Sequence, residues 1–153
     1  MNYTIKCLHF EELSTQELYA AMNIRQEVFI VEQKCWYLDA DGKDLLAYHL
    51  FVYDENQRVA AYTRLLPEGV SYEKYTSIGR VLSASFARGT GVGKLLMEES
   101  IAAIEKIFGT NYPIKIGAQS YLLRFYEEFG FKSTGEEYLE DDIPHTKMIR
   151  QWA

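Results

Sequence analysis

RGTGVGKLL, Arg88 to Leu96, sets three glycines in five positions and closes on a lysine and two leucines. It follows a strand-like segment, SIGRVLS (77–83). It precedes a segment in which Met97, Ile101, Ile104 and Phe108 fall on one helical face. A glycine loop between a strand and a helix suits an anion. The helix N-terminus offers unpaired N–H groups and the positive end of its dipole. Glycine lets the backbone come close, and Arg88 and Lys94 add positive charge. Two familiar phosphate loops fail on spacing. A P-loop needs glycine where Arg88 stands and a hydroxyl where Leu95 follows Lys94. A dinucleotide fingerprint needs a third glycine, and the chain has Lys94 counting from Gly89 or Leu96 counting from Gly91. What remains is R-x-x-G-x-G at Arg88, Gly91 and Gly93. The plain alternative is a glycine-rich turn with no ligand.

The surrounding chain reads as one domain over residues 1–153. Tyr3 to Phe10 is strand-like. Ser14 and Glu17 form a capping box. Leu18, Met22, Arg25 and Phe29 then mark one face of a helix ending near Gln33, and Arg25 on that face reads as the partner of a carboxylate in preference to a ligand contact. YLDADGKD (37–44) is turn material. LLAYHLFVY (45–53) is apolar on both faces, as a central strand would be, and RVAAYTRLL (58–66) returns beside it after the DENQ turn. PIKIGA (113–118) reads as a buried strand. Ser120 reads as the cap of a helix that Gly130 ends. FKSTG and PHTKMIRQW read as closing strands. Strands outnumber helices in mixed order, which gives an α+β or layered α/β fold with one central sheet and helices on its faces.

Composition narrows the function. A formal net charge of −6 argues against a general nucleic-acid binder, whose affinity needs a basic surface. No apolar run approaches the roughly 20 residues that span a bilayer, and MNYTIKCLHF lacks a signal-peptide core. Two cysteines, Cys7 and Cys35, point to a reducing cytoplasm. His9, His49 and His145 are far apart, and neither cysteine pairs with one in a ligand motif, so no metal is expected.

With SIGRVLS before it, RGTGVG resembles the coenzyme A pyrophosphate loop of the GNAT N-acetyltransferases. AQSYLLRFYEEFGF resembles that family's second signature, matched at Tyr126, Gly130 and Phe131. IRQEVFIVEQ, DADGKD, AYTRLL, IGRV and EDDIPHTKM are similar to the ElaA-like branch. The resemblance implies a GNAT fold: a mixed, mostly antiparallel sheet with a splayed parallel strand pair and helices on both faces. It implies an acyltransferase that moves an acetyl group from acetyl-CoA directly to a small-molecule or peptide amine, without nucleic acid or membrane partners. It allows a homodimer.

On that match, Val81, Leu82 and Ser83, the loop residues Arg88, Gly89, Thr90, Gly91, Val92, Gly93 and Lys94, and Gln119 hold coenzyme A. Tyr126 takes the general-acid position, against the plain reading of an aromatic packed in its helix. The family often places a glutamate on the strand before the loop as base, and this chain has Arg80 there. The base is then sought at Glu32 or His145, with His49 and Asp141 as candidates or acceptor contacts. Arg64 and Arg80 read either as carboxylate forks for the acceptor or as buried ion pairs with Glu32 or Asp44. Asp141 belongs to EEYLEDD, a solvated face or an attractor for a cationic amine. His49 reads equally as a core histidine. Two other functions stay open: a non-catalytic acyl-CoA sensing module, and a nucleotide-binding protein of another class.

Overall fold

A computed structural model describes residues 2–153. Seven strands are numbered β1 (Thr4–His9), β2 (Tyr48–Tyr53), β3 (Val59–Leu66), β4 (Ser77–Ser83), β5 (Ile114–Gln119), β6 (Phe131–Glu140) and β7 (Ile143–Arg150). Three helices are α1 (Thr15–Arg25), α2 (Val92–Phe108) and α3 (Leu123–Glu127). Strands β1-β2-β3-β4 form one antiparallel sheet and β5-β7-β6 another. Between them runs a single parallel bridge, Thr76 to Ile114, made by Thr76 N–H to Pro113 O and Lys115 N–H to Thr76 O. Beyond that bridge β4 and β5 share no ladder, and a cavity lies between them.

Helices cover both faces of the larger sheet because its central strands are apolar on both. Leu50, Val52, Ala61 and Leu65 join Leu96, Met97 and Ile104 of α2 in one buried cluster. Phe51, Tyr62 and Leu82 join Ala21, Ile24 and Val28 from the α1 side in another. The Ser14–Glu17 capping box forms as its spacing predicts, with Glu17 N–H to Ser14 Oγ at 3.0 Å and Ser14 N–H to Glu17 Oε1 at 2.8 Å. Three local readings are corrected. LLAYHLFVY is strand only from Tyr48; Lys43–Leu46 is a 3₁₀ turn, and Leu45 and Leu46 face solvent. Ser120 caps nothing, since its hydroxyl bonds Thr146 Oγ1 at 2.8 Å and the helix starts at Leu123. The first helix loosens after Arg25 into a π-helical stretch, Gln26–Glu32, a feature that 3.6-residue spacing cannot reveal.

The cavity wall is held by charge. Arg25 meets Asp39 (2.9 Å) and Asp44 (2.7 Å); Arg64 meets Asp44 (3.0 Å) and Asp41 (2.7 Å); Arg80 meets Asp41 (3.4 Å) and Asp39 (2.8 Å). The contacts close into a six-membered ring of alternating sign. It ties α1, β3 and β4 to the DADGKD turn, which supplies all three aspartates. Arg25 is wholly buried, and Arg64, Asp39 and Asp44 nearly so. His49 sits beneath the ring. Its Nε2 faces the Asp44 carbonyl at 3.0 Å, an oxygen that only accepts, so Nε2 carries the proton and Nδ1 accepts from the Tyr62 hydroxyl at 2.6 Å. Burial holds the His49 pKa below its usual value and pushes the Tyr62 hydroxyl up to about 12.

Removing one member strands its neighbours. Asp44→Ala leaves Arg25 and Arg64 short of a buried counter-charge and should cost about 3–5 kcal/mol, read as a lowered midpoint in urea unfolding. Stability should also fall with acid in two stages. His49 stays neutral when folded but charges when unfolded, so its share is lost as pH drops below about 6.5. Asp41, held at about 2 against its burial by hydrogen bonding and charge from Arg64, gives up its share from about pH 4 down to its folded value. Urea unfolding at pH 7.5, 5.5 and 3 checks both stages, and His49→Gln should flatten only the first.

Candidate active site

The cavity between β4 and β5 has a volume of about 1330 Å³. Its β4 wall includes Arg80, Val81, Leu82 and Ser83, and its β5 wall includes Gly117 and Gln119. Tyr126, Arg88 and Gly93 reach it from the helices and the glycine loop; Glu32, Arg64, Asp141 and His145 complete the predicted residues that line it. Residues far apart in the chain thus converge on one cleft. Gly89, Thr90 and Gly91 lie in the loop, and Val92 and Lys94 in the first turn of α2; none of the five lines the cavity itself.

The loop is shaped for an anion. Gly89 and Gly91 adopt φ of 80° and 85°, which side-chain-bearing residues rarely adopt. Gly91 is the residue before α2, and no side chain caps that helix. The first backbone bond from α2 back to the loop is Leu95 N–H to Gly91 O at 3.2 Å. Among the described residues, the N–H groups of Val92, Gly93 and Lys94 therefore have no protein acceptor. Thr90 anchors the loop, bonding Ala87 O and, at 2.9 Å, the Tyr3 hydroxyl of the β1 side. Arg88 donates from Nε to Ser83 O at 3.1 Å and from its terminal nitrogen to Glu32 Oε1 at 2.6 Å.

β4 carries a bulge that periodicity does not predict. Tyr62 pairs with Leu82 and Arg64 with Gly79, so Arg80 and Val81 stand opposite Thr63 alone, and Arg80 adopts φ of 48°. The bulge aims Arg80 at the ring. Downstream, Ala84 N–H bonds Ala60 O. Strand alternation then turns the backbone groups of Leu82 toward β3 and those of Ser83 toward the gap. The Arg88 contact with Ser83 O agrees. Leu82 and Ser83 both line the cavity, but the backbone groups of Ser83 face it and those of Leu82 do not.

Tyr126 is buried, and no protein group bonds its hydroxyl among the described residues. Burial, reinforced by Tyr121, pushes its pKa well above the usual range, so the phenol keeps its proton at neutral pH. His145, on β7, is also buried. Its Nδ1 faces Ile143 O at 2.7 Å, which fixes the proton there and leaves the Nε2 lone pair open; the nearest charge is Glu140, 3.4 Å from Nε2. Gln119 ends β5 directly opposite His145, and its amide reaches Gln33 at 3.5 Å. Asp141 opens the β6–β7 turn at φ of 51° and accepts from the Cys35 thiol. Most of EEYLEDD is a solvated face, as its charge predicts.

His49 is corrected from candidate base or acceptor contact to core residue. It is fully buried with both ring nitrogens bonded, and it does not line the cavity. Arg64 and Arg80 do line it, but their carboxylate partners are Asp41, Asp44 and Asp39, not Glu32. Sequence reasoning passed over Lys43, Tyr72, Tyr138 and Lys147, which also line the cavity. Lys43, Tyr138 and Lys147 lie in stretches already singled out, DADGKD, EEYLEDD and EDDIPHTKM, but nothing in the spacing marked these three side chains themselves. No group of three or more potential metal-ligating side chains occurs among the described residues, and no helix among them is long and apolar enough to cross a membrane.

Comparison with known proteins agrees with this geometry. Residues 10–151 match the acetyltransferase (GNAT) domain family. Protein ElaA of Escherichia coli is 39% identical over 145 residues, 94% of each chain. The crystal structure of that protein superposes with a TM-score of 0.90 at 36% identity, covering 98% of this chain and all of the other. An acyl-CoA N-acyltransferase from Pseudomonas aeruginosa superposes with a TM-score of 0.89 at 42% identity, over 97% of this chain and 99% of that one. With the family match over residues 10–151 and relatives of this identity along nearly its full length, the chain belongs to the GNAT acetyltransferase family.

Proposed function

We propose that this chain is a single-domain N-acetyltransferase that moves an acetyl group from acetyl-CoA to a primary amine by direct attack within a ternary complex. The observation that carries the reading is the uncapped N-terminus of α2, which opens beside the same cleft as the unbonded Tyr126 hydroxyl and the buried His145. Acetyl-CoA supplies the activated thioester. The free N–H groups of Val92, Gly93 and Lys94 fit its pyrophosphate, with Arg88 and Lys94 adding charge. The outward backbone of Ser83, with Val81 beside it, and the amide of Gln119 fit the pantetheine arm. A backbone donor from β4 aimed at the thioester oxygen would stabilise developing charge.

An alkyl amine near pKa 10.4 must lose a proton before it attacks, at a cost of roughly 4–5 kcal/mol at pH 7. His145 suits this task. Its Nδ1–H is held by Ile143 O, and its Nε2 is free to accept a proton that Glu140 would then stabilise on the ring. Glu32 suits it less while Arg88 holds its carboxylate at 2.6 Å. Asp141, with no ion-pair partner among the described residues, would draw the ammonium form of the substrate into the cleft. Tyr126 would return a proton to the leaving thiolate. A reducing cytoplasm suits the two free cysteines, and burial pushes the Cys7 thiol up to about 11, which leaves it unreactive.

The competing reading is an acyl-CoA sensor without turnover. It is favoured by Arg80, whose guanidinium belongs to the ring where the family often carries a glutamate. Two measurements separate them. Acetyl-CoA at about 100 times its dissociation constant should stabilise the protein by about 2.7 kcal/mol, a rise in Tm of about 5–10 °C, with no rise for ATP or NAD. An equal rise with ATP would overturn the loop assignment. Amine-dependent thiol release should fall about 10-fold or more in Tyr126→Phe, with the acetyl-CoA shift retained. His145→Gln should lower kcat about 100-fold with the acetyl-CoA shift retained. An acetyl-CoA shift with no amine-dependent thiol release would favour the sensor.

A further inference from the structure

The charges of the cleft are mostly spent on one another. Glu32 holds Arg88, Asp41 holds Arg64 and Arg80, and Glu140 lies beside His145. Two half-buried cations in the same cavity are not spent. Lys43 Nζ donates to Ser71 Oγ at 3.0 Å, and Lys147 Nζ donates to the Tyr72 hydroxyl at 2.9 Å. Among the described residues, neither ammonium has a carboxylate within ion-pair distance.

The arrangement around them is built. Ser71 and Tyr72 are consecutive on the β3–β4 connection, so the two ammonium groups are anchored to adjacent residues. Lys147 lies 4.6 Å from the Tyr72 ring centroid and 4.5 Å from that of Tyr138. Gly117 stands opposite Lys147 on β5, and a Cβ there would overlap the Tyr138 hydroxyl, so the glycine makes room for that phenol. Burial works against charge on Lys147, but the Tyr72 hydroxyl, Tyr138 and the more distant Glu136 carboxylate together outweigh it and the pKa is raised. Each hydroxyl that accepts from a lysine keeps its own proton to donate. An oxyanion placed here would find two cations and two O–H donors.

This position is not that of the coenzyme loop. Ser71 and Tyr72 precede β4 and Arg88 follows it. The seven residues of β4 span about 20 Å. The net charge of −6 also disfavours anions at the surface generally, so local cations would have to provide the attraction.

We propose that Lys43 and Lys147, with the hydroxyls of Ser71 and Tyr72, form an acceptor subsite for a compact oxyanion, a carboxylate or a phosphate. The amine that is acetylated then carries its own anionic group. This inference rests on the acetyltransferase reading above, and its test separates the two.

Three primary amines of matched chain length serve as acceptors with acetyl-CoA: a neutral alkylamine, an ω-amino carboxylate and an aminoalkyl phosphonate. One or both anionic amines should exceed the neutral one in kcat/KM by about 10- to 100-fold, the range expected for charged hydrogen bonds. The better of the two identifies the anion. In Lys147→Met and Lys43→Met the advantage should shrink through KM, and Lys147→Arg should restore part of it. Each variant is scored only with its acetyl-CoA thermal shift intact, which establishes that it folds and binds the coenzyme. A neutral amine used as well as both anionic ones overturns the proposal. So does an advantage that survives in both methionine variants. If acetyl-CoA binds but no amine is turned over, the transferase reading fails. The subsite is then judged by calorimetric titration of the same anionic amines into coenzyme A-loaded protein. Heat that disappears in Lys147→Met supports it, and heat unchanged or absent overturns it.

Discussion

Three arginines and three aspartates closed into a ring determine where the cleft wall stands. Arg25, Arg64 and Arg80 come from α1, β3 and β4, elements that hydrophobic packing would bring together in any case. The aspartates come from a turn that has little apolar surface of its own to hold it. Six charges of alternating sign sum to zero, and each is met twice, so deep burial of Arg25 leaves no net charge stranded. Such pairs contribute little net stability against an apolar replacement. What they contribute is position. The turn carries Lys43 into the cleft, and the bulge that gives Arg80 its φ of 48° lets its guanidinium reach Asp39.

The cleft exists because β4 and β5 meet once and then part. A continuous parallel ladder would have paired the outward groups of β4 and filled the gap. The single bridge at Thr76 and Ile114 fixes the two sheets at one end and leaves the other open to the glycine loop. The Arg88 contact to Ser83 O shows where β4's unpaired groups face. Two apolar clusters hold α1 and α2 against opposite faces of the larger sheet.

Much of this was legible in the sequence. The capping box at Ser14, the two-faced strand around Leu50 and the R-x-x-G-x-G spacing each follow from local rules. The structure keeps all three. The need of Arg25 for a carboxylate was legible too, but not which one, because Asp39 and Asp44 are brought to it by tertiary packing. The Arg80 bulge and the π-helical stretch before Glu32 depart from ideal periods, and a reading based on periods passes over them. The Ser120 hydroxyl looked like a cap until Thr146, from a strand 26 residues on, claimed it. Lys43 and Lys147 lie in stretches similar to the family branch, but no spacing there marked them as site residues; only the fold shows that, among the described residues, neither has a carboxylate within ion-pair distance.

Arg80 also constrains the chemistry. A glutamate at that position could take the amine's proton from the strand itself. Arg80 cannot, since its guanidinium is committed to Asp39 and Asp41 and a cation there repels an ammonium. A base must then come from another wall. Glu32 faces the cleft but is engaged by Arg88, the residue that the coenzyme's phosphates would compete for. Asp141 at the β6–β7 turn keeps a carboxylate without an ion-pair partner among the described residues, while His145 offers an open ring lone pair, on the strand paired to β5 and held by a carbonyl that only accepts. The same strand carries Lys147 two residues on, so on one face of β7 a proton acceptor and a cation share the cleft. An acceptor with its amine near His145 and an anionic group near Lys147 would be spanned by that single strand. The two side chains leave β7 about 7 Å apart, so such a molecule would place its amine and its anion at different points along one strand.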